Sequence, residues 1–410
     1  MISELSKNTY FFLVLTLFFS FISYGQNKTL KPKKKSIQLN NVSAKKIETG
    51  AQQTHLYLEL LKVKNIAIVA NQTSVIFKKN NGYTHLIDSL LSLNIKVKKV
   101  FSPEHGFRGK ADASEKVANG MDVKTGLQIV SLYGNNKKPT IEQLKGIDVV
   151  IFDIQDVGVR FYTYISTLHY VMEACAENEI EIIVFDRPNP NGHYIDGPTL
   201  DIKYKSFVGM HPVPLVYGMS IGEYAQMING EGWLKNNIKC ALTVIPLKNY
   251  NHQIFYHLPI RPSPNLPNDV AINLYPSLGF FEGTTINAGR GTENQFQQYG
   301  APFFPKTDFN YMPQPNFGSK HPKHKGKVCY GVNLKHEKHL NTVEIKWLVD
   351  AYSKTPKIEK FFGNTFTIHA GNKILEQQLK NGISIQEIQD SWKYGIEKFK
   401  KTRGKYLIYK

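Results

Sequence analysis

Val149-Val-Ile-Phe152-Asp153-Ile-Gln155-Asp156 is the stretch on which the fold turns: four consecutive apolar residues, then a run of carboxylates and an amide. A short β-rich apolar run without alternation reads as a strand buried on both faces, as in parallel sheets covered by helices. Just upstream, Thr140-Ile-Glu-Gln143 is a capping box opening a short helix, which Gly146 closes before the strand begins. Just downstream, Ile165, Leu168, Met172 and Cys175 share one face of a helix over about residues 162–177. Glu181-Ile-Ile-Val-Phe185 is the next strand.

The same alternation runs back towards the N-terminus. Ile66–Ala70, Ile95–Phe101 and Gln128–Leu132 read as strands, and Leu86, Leu90 and Leu91 mark a helix over 84–93. Residues 48–200 are therefore expected to form an α/β domain with a mostly parallel sheet. Pro188 to Pro214 is rich in Pro, Gly and Asn, which places a domain boundary near 200. Beyond it the elements mix, so 201–410 is expected to be a smaller α+β domain. Its parts are a helix capped by Ser220-Ile-Gly-Glu223, a strand at Ala241–Ile245, helices at Thr342–Tyr352 and Ile385–Phe399, and a strand-like Tyr406-Leu-Ile-Tyr409.

With 410 residues, 41% hydrophobic and 20% charged, the chain has the length for two cores and a composition that excludes disorder for most of it. Residues 1–25 differ: Lys7 precedes an apolar run from Tyr10 to Tyr24, ending in Ser23-Tyr24-Gly25. The run falls short of the roughly 20 residues of a membrane span, so a cleaved secretory signal is expected, with an exported, periplasmic or secreted product. Residues 26–47, with Lys28, Lys31, Lys33, Lys34 and Lys35, read as a flexible basic linker. The three cysteines, Cys175, Cys240 and Cys329, form no disulfide framework or zinc pattern. A net charge of +18 suits an anionic partner, but export argues against nucleic acid, and a basic solvated surface accounts for scattered lysines.

Polar clusters follow the strands. Asn71-Gln72-Thr73 follows Ala70, Ser102-Pro103-Glu104-His105 follows Phe101, and Asp153 to Asp156 follows Phe152; Asp186-Arg187-Pro188-Asn189 follows Phe185. In an open parallel sheet the carboxyl ends of the strands share one edge, where ligands bind, so these clusters are expected to converge. Glu104, beside His105 and Arg108, is the candidate acid, against the alternative that it pairs with Arg108 to hold the loop. Asp153, Gln155, Asp156, Arg160, Tyr162 and Tyr164 supply groups that hydrogen-bond sugar hydroxyls and rings that face a pyranose. Phe281-Glu282 through Arg290-Gly-Thr-Glu293 reads as an ordered functional loop, against an internal Glu–Arg pair. Asn189 and Asn191 are turn formers, and Glu223 is discounted as the third residue of a capping box. No Gly-x-Ser-x-Gly elbow, His-Glu-x-x-His helix, Walker loop or dinucleotide fingerprint is present, and no metal or cofactor is expected.

Taken together, Phe101-Ser-Pro-Glu-His-Gly-Phe-Arg-Gly109, Phe152-Asp-Ile-Gln-Asp-Val-Gly-Val-Arg-Phe-Tyr-Thr-Tyr164 and Asp186-Arg-Pro-Asn-Pro-Asn-Gly192 resemble the motifs of the NamZ family of exo-β-N-acetylmuramidases. Pro212 to Gly218, Phe281-Glu-Gly-Thr284, Gly289-Arg-Gly-Thr292 and the closing Tyr406-Leu-Ile-Tyr extend the resemblance over about 50–410. It implies a Rossmann-like first domain without a nucleotide, an auxiliary second domain and a cleft between them. It also implies release of N-acetylmuramic acid from the non-reducing ends of peptidoglycan fragments. In such a reaction Glu104 is the expected acid, and Glu282, Asp153, Asp156 or the sugar's own acetamido group takes the second role. Arg108, Arg160 or Arg290 is the candidate partner of the lactyl carboxylate, and Asn71, His105 and Asp186 are further candidate substrate contacts. The competing reading is a non-catalytic wall-glycan binding protein using the same cleft.

Overall fold

The computed structural model describes residues 46–78, 82–107 and 119–409. The expected signal segment, the expected linker up to residue 45 and Arg108 lie outside these residues. The strands in the first half are β1 (Ile66–Ala70), β2 (Val75–Phe77), β3 (Tyr83–His85), β4 (Val97–Ser102), β5 (Gly120–Met121), β6 (Gln128–Ser131), β7 (Val149–Asp153) and β8 (Glu181–Phe185). With β9 (Leu242–Ile245), all but β2 and β3 form one seven-stranded sheet in the order β5-β6-β4-β1-β7-β8-β9. Every pairing is parallel except β5 with β6 at one edge. Numbered in chain order, the six parallel strands run 3-2-1-4-5-6, the doubly wound order, and the direction of winding reverses between β1 and β7.

The unbroken apolar runs follow from burial on both faces, with a period of two along each strand. Ala67, Val69, Val150, Phe152, Ile182 and Val184 point into one core. Ile66, Ile68, Val149, Ile151, Ile183 and Phe185 point into the other. The second core is covered by α1 (Thr54–Leu61), through Tyr57 and Leu61, and by α2 (Leu86–Ser92). The first takes α3 (Ile141–Leu144), α4 (Tyr164–Glu177) and α5 (Ile221–Gly230), then continues without a break into the second half of the chain.

Two differences from the sequence reading matter for the site. Residues 242–245, expected in the second domain, pair in parallel with β8 in the register Val184↔Val244, and α5 is the crossover that delivers them. The first sheet therefore extends well past residue 200. A turn-rich stretch looks like a boundary in sequence, but here it is a long excursion from one sheet edge that returns to it. Second, Tyr406 to Tyr409 forms no strand. The tail docks by side chains instead, with Tyr409 Oη donating to Asp186 Oδ2 at 2.6 Å and accepting from the Leu247 amide at 2.7 Å.

The remaining chain holds α6 (Asp269–Leu278), which runs into a 3-10 turn at Gly279–Gly283, and a three-stranded antiparallel sheet of β10 (Gln298–Ala301), β11 (Asn310–Tyr311) and β12 (Cys329–Asn333). It closes with α7 (Lys346–Lys354), α8 (Phe366–Ala370), α9 (Ile374–Lys380), α10 (Ile385–Asp390) and α11 (Lys393–Arg403). The single helix expected at 385–399 is thus two. No helix among the described residues is long and apolar enough to cross a membrane.

Candidate active site

The clusters at the strand ends do converge, in two tiers. The lower tier is consumed in building the loops. Asp153 is fully buried and takes a two-pronged ion pair from Arg187, at 2.6 Å and 2.9 Å, while its carbonyl accepts from Ser74 Oγ. Asn71 Oδ1 accepts from the Thr73 amide and hydroxyl, and its Nδ2 donates to Tyr164 Oη at 2.9 Å. Gln155 Nε2 donates to the carbonyls of Asp156 and Pro188. Asp156 accepts from Tyr217 Oη and from the Gly158 amide, and burial pushes its carboxyl up to about 6 against those two bonds. Asp186 accepts from Ser220 Oγ, Tyr409 Oη and the amides of Arg187 and Gly222, and burial likewise pushes it up to about 6. Gly222 is required there, since a Cβ would stand 2.7 Å from the Asp186 carboxyl carbon.

Arg160 carries no exposed surface. Its guanidinium donates to the carbonyls of Pro198, Val213, His369 and Ala370, and burial lowers its pKa to about 9. Asn71, Asp153, Gln155, Asp156, Arg160, Tyr164 and Asp186 were all read from sequence as site residues. None lines the cavity above them, because each is held by backbone or ion-pair partners that sequence spacing does not disclose.

The upper tier surrounds a cavity of about 280 Å³. Two carboxylates share it, Glu104 from the first sheet and Glu282 from the second half of the chain. Glu104 follows β4 in a tight turn closed by the Gly106 amide on the Pro103 carbonyl. His105 and Gly106 both take left-handed backbone, at φ 71° and 79°. For a histidine this costs on the order of 1 kcal/mol, strain that the packing of this loop sustains. Glu104 Oε2 accepts from Thr163 Oγ1 at 2.7 Å, and Thr163 is the residue that opens α4. The expected pairing of Glu104 with Arg108 involves a residue outside those described.

Glu282 rides on the 3-10 turn after α6. Arg290 Nη1 donates to its Oε2 at 2.9 Å, yet the side chain keeps 27% of its surface exposed and so remains reachable. Burial would raise its carboxyl, but the charges of Arg290 and Lys323 outweigh burial and hold it below the usual range. Lys323 pins the turn from beneath, its Nζ donating to the carbonyls of Phe281 at 2.6 Å and of Glu282 and Ile286 at 3.3 Å. The internal Glu–Arg pair is therefore present, and both of its members also line the cavity.

Tyr162, His105 and Arg290 line the cavity as expected, with Thr163, Ser263, Asn265, Tyr275, Phe296 and His369 beside them. Tyr162 Oη is turned away to the Pro262 carbonyl at 2.8 Å, so it offers the cavity its ring. The Tyr275 phenol feels both carboxylates, Glu282 more than Glu104, and burial first raises it well above 10. The His369 Nδ1 faces the Thr365 carbonyl at 2.9 Å, and since a carbonyl only accepts, Nδ1 carries the proton and Nε2 is the acceptor. Burial lowers its pKa, which keeps it neutral near pH 7. Sequence reasoning missed Ser263, Asn265, Tyr275 and His369. The proline that follows Tyr275 inside a helix was a visible anomaly, as was the Pro262-Ser-Pro-Asn-Leu-Pro267 stretch. For His369 no local signal exists.

Comparison with known proteins identifies the family. Residues 66–270 match the family described as "Exo-beta-N-acetylmuramidase NamZ, N-terminal", and residues 273–409 match its C-terminal counterpart. Peptidoglycan beta-N-acetylmuramidase NamZ of Bacillus subtilis (strain 168) is 40% identical over 397 residues, covering 90% of this chain and 93% of that protein. Crystal structures of two DUF1343 family proteins from Bacteroides fragilis NCTC 9343 share the fold. One is 44% identical with a TM-score of 0.81, the other 27% identical with a TM-score of 0.75, each covering 89% of this chain and 99% of its own. On sequence and fold together, the chain belongs to the NamZ family of exo-β-N-acetylmuramidases.

Proposed function

We infer that this protein is a glycoside hydrolase that releases N-acetylmuramic acid from the non-reducing ends of peptidoglycan fragments. The observation that carries the reading is the shared cavity: Glu104 and Glu282 face it from separate halves of the chain, over a floor of buried rings. Cleavage of a glycosidic bond needs a proton at the leaving oxygen and negative charge near an anomeric carbon that becomes positive. Glu282, kept ionised by Arg290 and Lys323, suits the second role, acting on the anomeric carbon or orienting the substrate's acetamido group. Glu104 then supplies the proton. Asp153 and Asp156, the other candidates for the second role, are sealed below the cavity.

Of the two described candidate arginines, Arg290 lines the cavity and Arg160 does not, so Arg290 is proposed as the partner of the lactyl carboxylate. His369 Nε2, as a neutral acceptor, suits a sugar hydroxyl or amide N–H. The apolar run Tyr10–Tyr24 supports export to the compartment that holds the wall. The test is hydrolysis of a chromogenic β-N-acetylmuramide by the purified protein and by Glu104→Gln, which keeps the shape but has no proton to give. Release by the unsubstituted protein and a fall of about 10²–10⁴-fold in the variant are expected. No release at all would leave a wall-glycan binding protein, and near-normal turnover by a folded Glu104→Gln would remove Glu104 as the acid.

A further inference from the structure

A second group of rings stands at the rim of the same cavity and has no part in the steps above. Tyr133, two residues past β6, and Phe207, from the excursion between β8 and β9, both line the cavity with Glu104. Their ring centres lie 6.1 Å apart. Tyr170, on α4, lies nearly parallel to Phe207 at 17° and 6.3 Å, and Lys137 Nζ stands 4.9 Å from the centre of the Phe207 ring. These three rings are partly exposed, whereas Phe161, Tyr162 and Phe296 on the inner wall are buried.

The rim is a built ledge. Lys138, next to Lys137, is tied to α4 by Glu173 at 2.8 Å and Glu177 at 2.6 Å, so the segment carrying Tyr133 and Lys137 is held against the helix carrying Tyr170. Asn136 Nδ2 donates to the Ser131 carbonyl at 2.7 Å, fixing the same segment to the end of β6. The excursion carrying Phe207 is clamped on both sides by Arg160, through the Pro198 and Val213 carbonyls.

We propose that Tyr133 and Phe207, backed by Tyr170 and Lys137, form the subsite for the leaving sugar, the amino sugar on the reducing side of the cleaved bond. The proposal rests on the functional reading above. A cavity that accepts one terminal sugar at its buried end leaves the rest of the glycan to pass out over its exposed rim. Aromatic rings suit the C–H face of a pyranose, and the Lys137 ammonium suits its hydroxyls. In a peptidoglycan strand the occupant is N-acetylglucosamine.

Inhibition by the two products, measured separately on the full chain, tests this. In Phe207→Ala, the inhibition constant of N-acetylglucosamine is expected to rise about tenfold, and kcat/KM on the disaccharide to fall by a similar factor. The inhibition constant of N-acetylmuramic acid is expected to stay unchanged, and Phe207→Trp to restore the first. An unchanged constant for N-acetylglucosamine, or a rise for N-acetylmuramic acid alone, overturns the subsite while leaving the enzyme reading intact. Failure of the unsubstituted protein to hydrolyse any muramide overturns the functional reading and the subsite with it.

Discussion

Glu104 and Glu282 meet in one cavity. Glu104 accepts from the Thr163 hydroxyl, and Glu282 sits in the field of Arg290 and Lys323. An ionised group opposite an anomeric carbon contributes through charge that is already in place before the transition state forms. Glu282→Gln removes that charge and keeps the shape, so kcat is expected to fall by about 10²–10³-fold with little change in thermal stability. Steady-state kinetics on a muramyl disaccharide check this. A small effect on kcat would shift the second role to a group other than Glu282. Asp153→Asn is the contrasting case: it leaves Arg187 buried beside a neutral amide, and its expected loss is of folded protein, about 3–5 kcal/mol, not of chemistry in the molecules that fold.

The turn at Gly279–Gly283 is held by Lys323 more than by its own short helix. Lys323→Met strips three carbonyls of their donor and removes one of the charges that keep Glu282 ionised. Because that charge lowers the Glu282 carboxyl, its loss is expected to move the acid limb of the kcat/KM profile to higher pH. A fall in kcat greater than the change in KM should accompany it. A profile with an unmoved acid limb would reduce Lys323 to a purely mechanical support. Elements also show what was legible in the chain. The strands of the first sheet were readable because burial on both faces writes an unbroken apolar run, and their carboxyl-end clusters were placed correctly at one edge. Which members of a cluster face the cavity was not readable. That depends on partners such as Arg187 with Asp153, Tyr217 with Asp156 and four distant carbonyls with Arg160, all set by the tertiary fold. β9 was recognised as a strand but assigned to the wrong layer, since nothing local distinguishes a sixth parallel strand from the first of a new domain.

Across the molecule, the core on one face of the sheet runs from Val150 and Phe152 through Leu274, Phe280 and Trp347 to Phe399. A shared core of this kind couples the halves, so residues 46–409 are expected to unfold in one calorimetric transition; two resolved transitions would contradict it. The tail reinforces the coupling at a charged point. Glu223 Oε1 accepts the amides of Ile408 and Tyr409, and Tyr409 Oη reaches Asp186 beneath the sheet edge. Asp186 is pushed up to about 6 from the ordinary 3.8, so the folded state holds its proton more tightly than the unfolded chain. Its contribution is most favourable at low pH and declines as pH rises from about 4 to about 6. The Tyr409 hydroxyl eases that decline by donating to the carboxylate. Tyr409→Phe is therefore expected to destabilise the protein by about 1–3 kcal/mol at pH 7 and by less at pH 5, where Asp186 is largely protonated. Thermal unfolding of the two proteins at both pH values measures the difference. An equal loss at both would mean that the hydroxyl acts only through the Leu247 amide. Because Tyr409 lies below the sheet edge and not in the cavity, kcat/KM of the folded variant should match that of the parent.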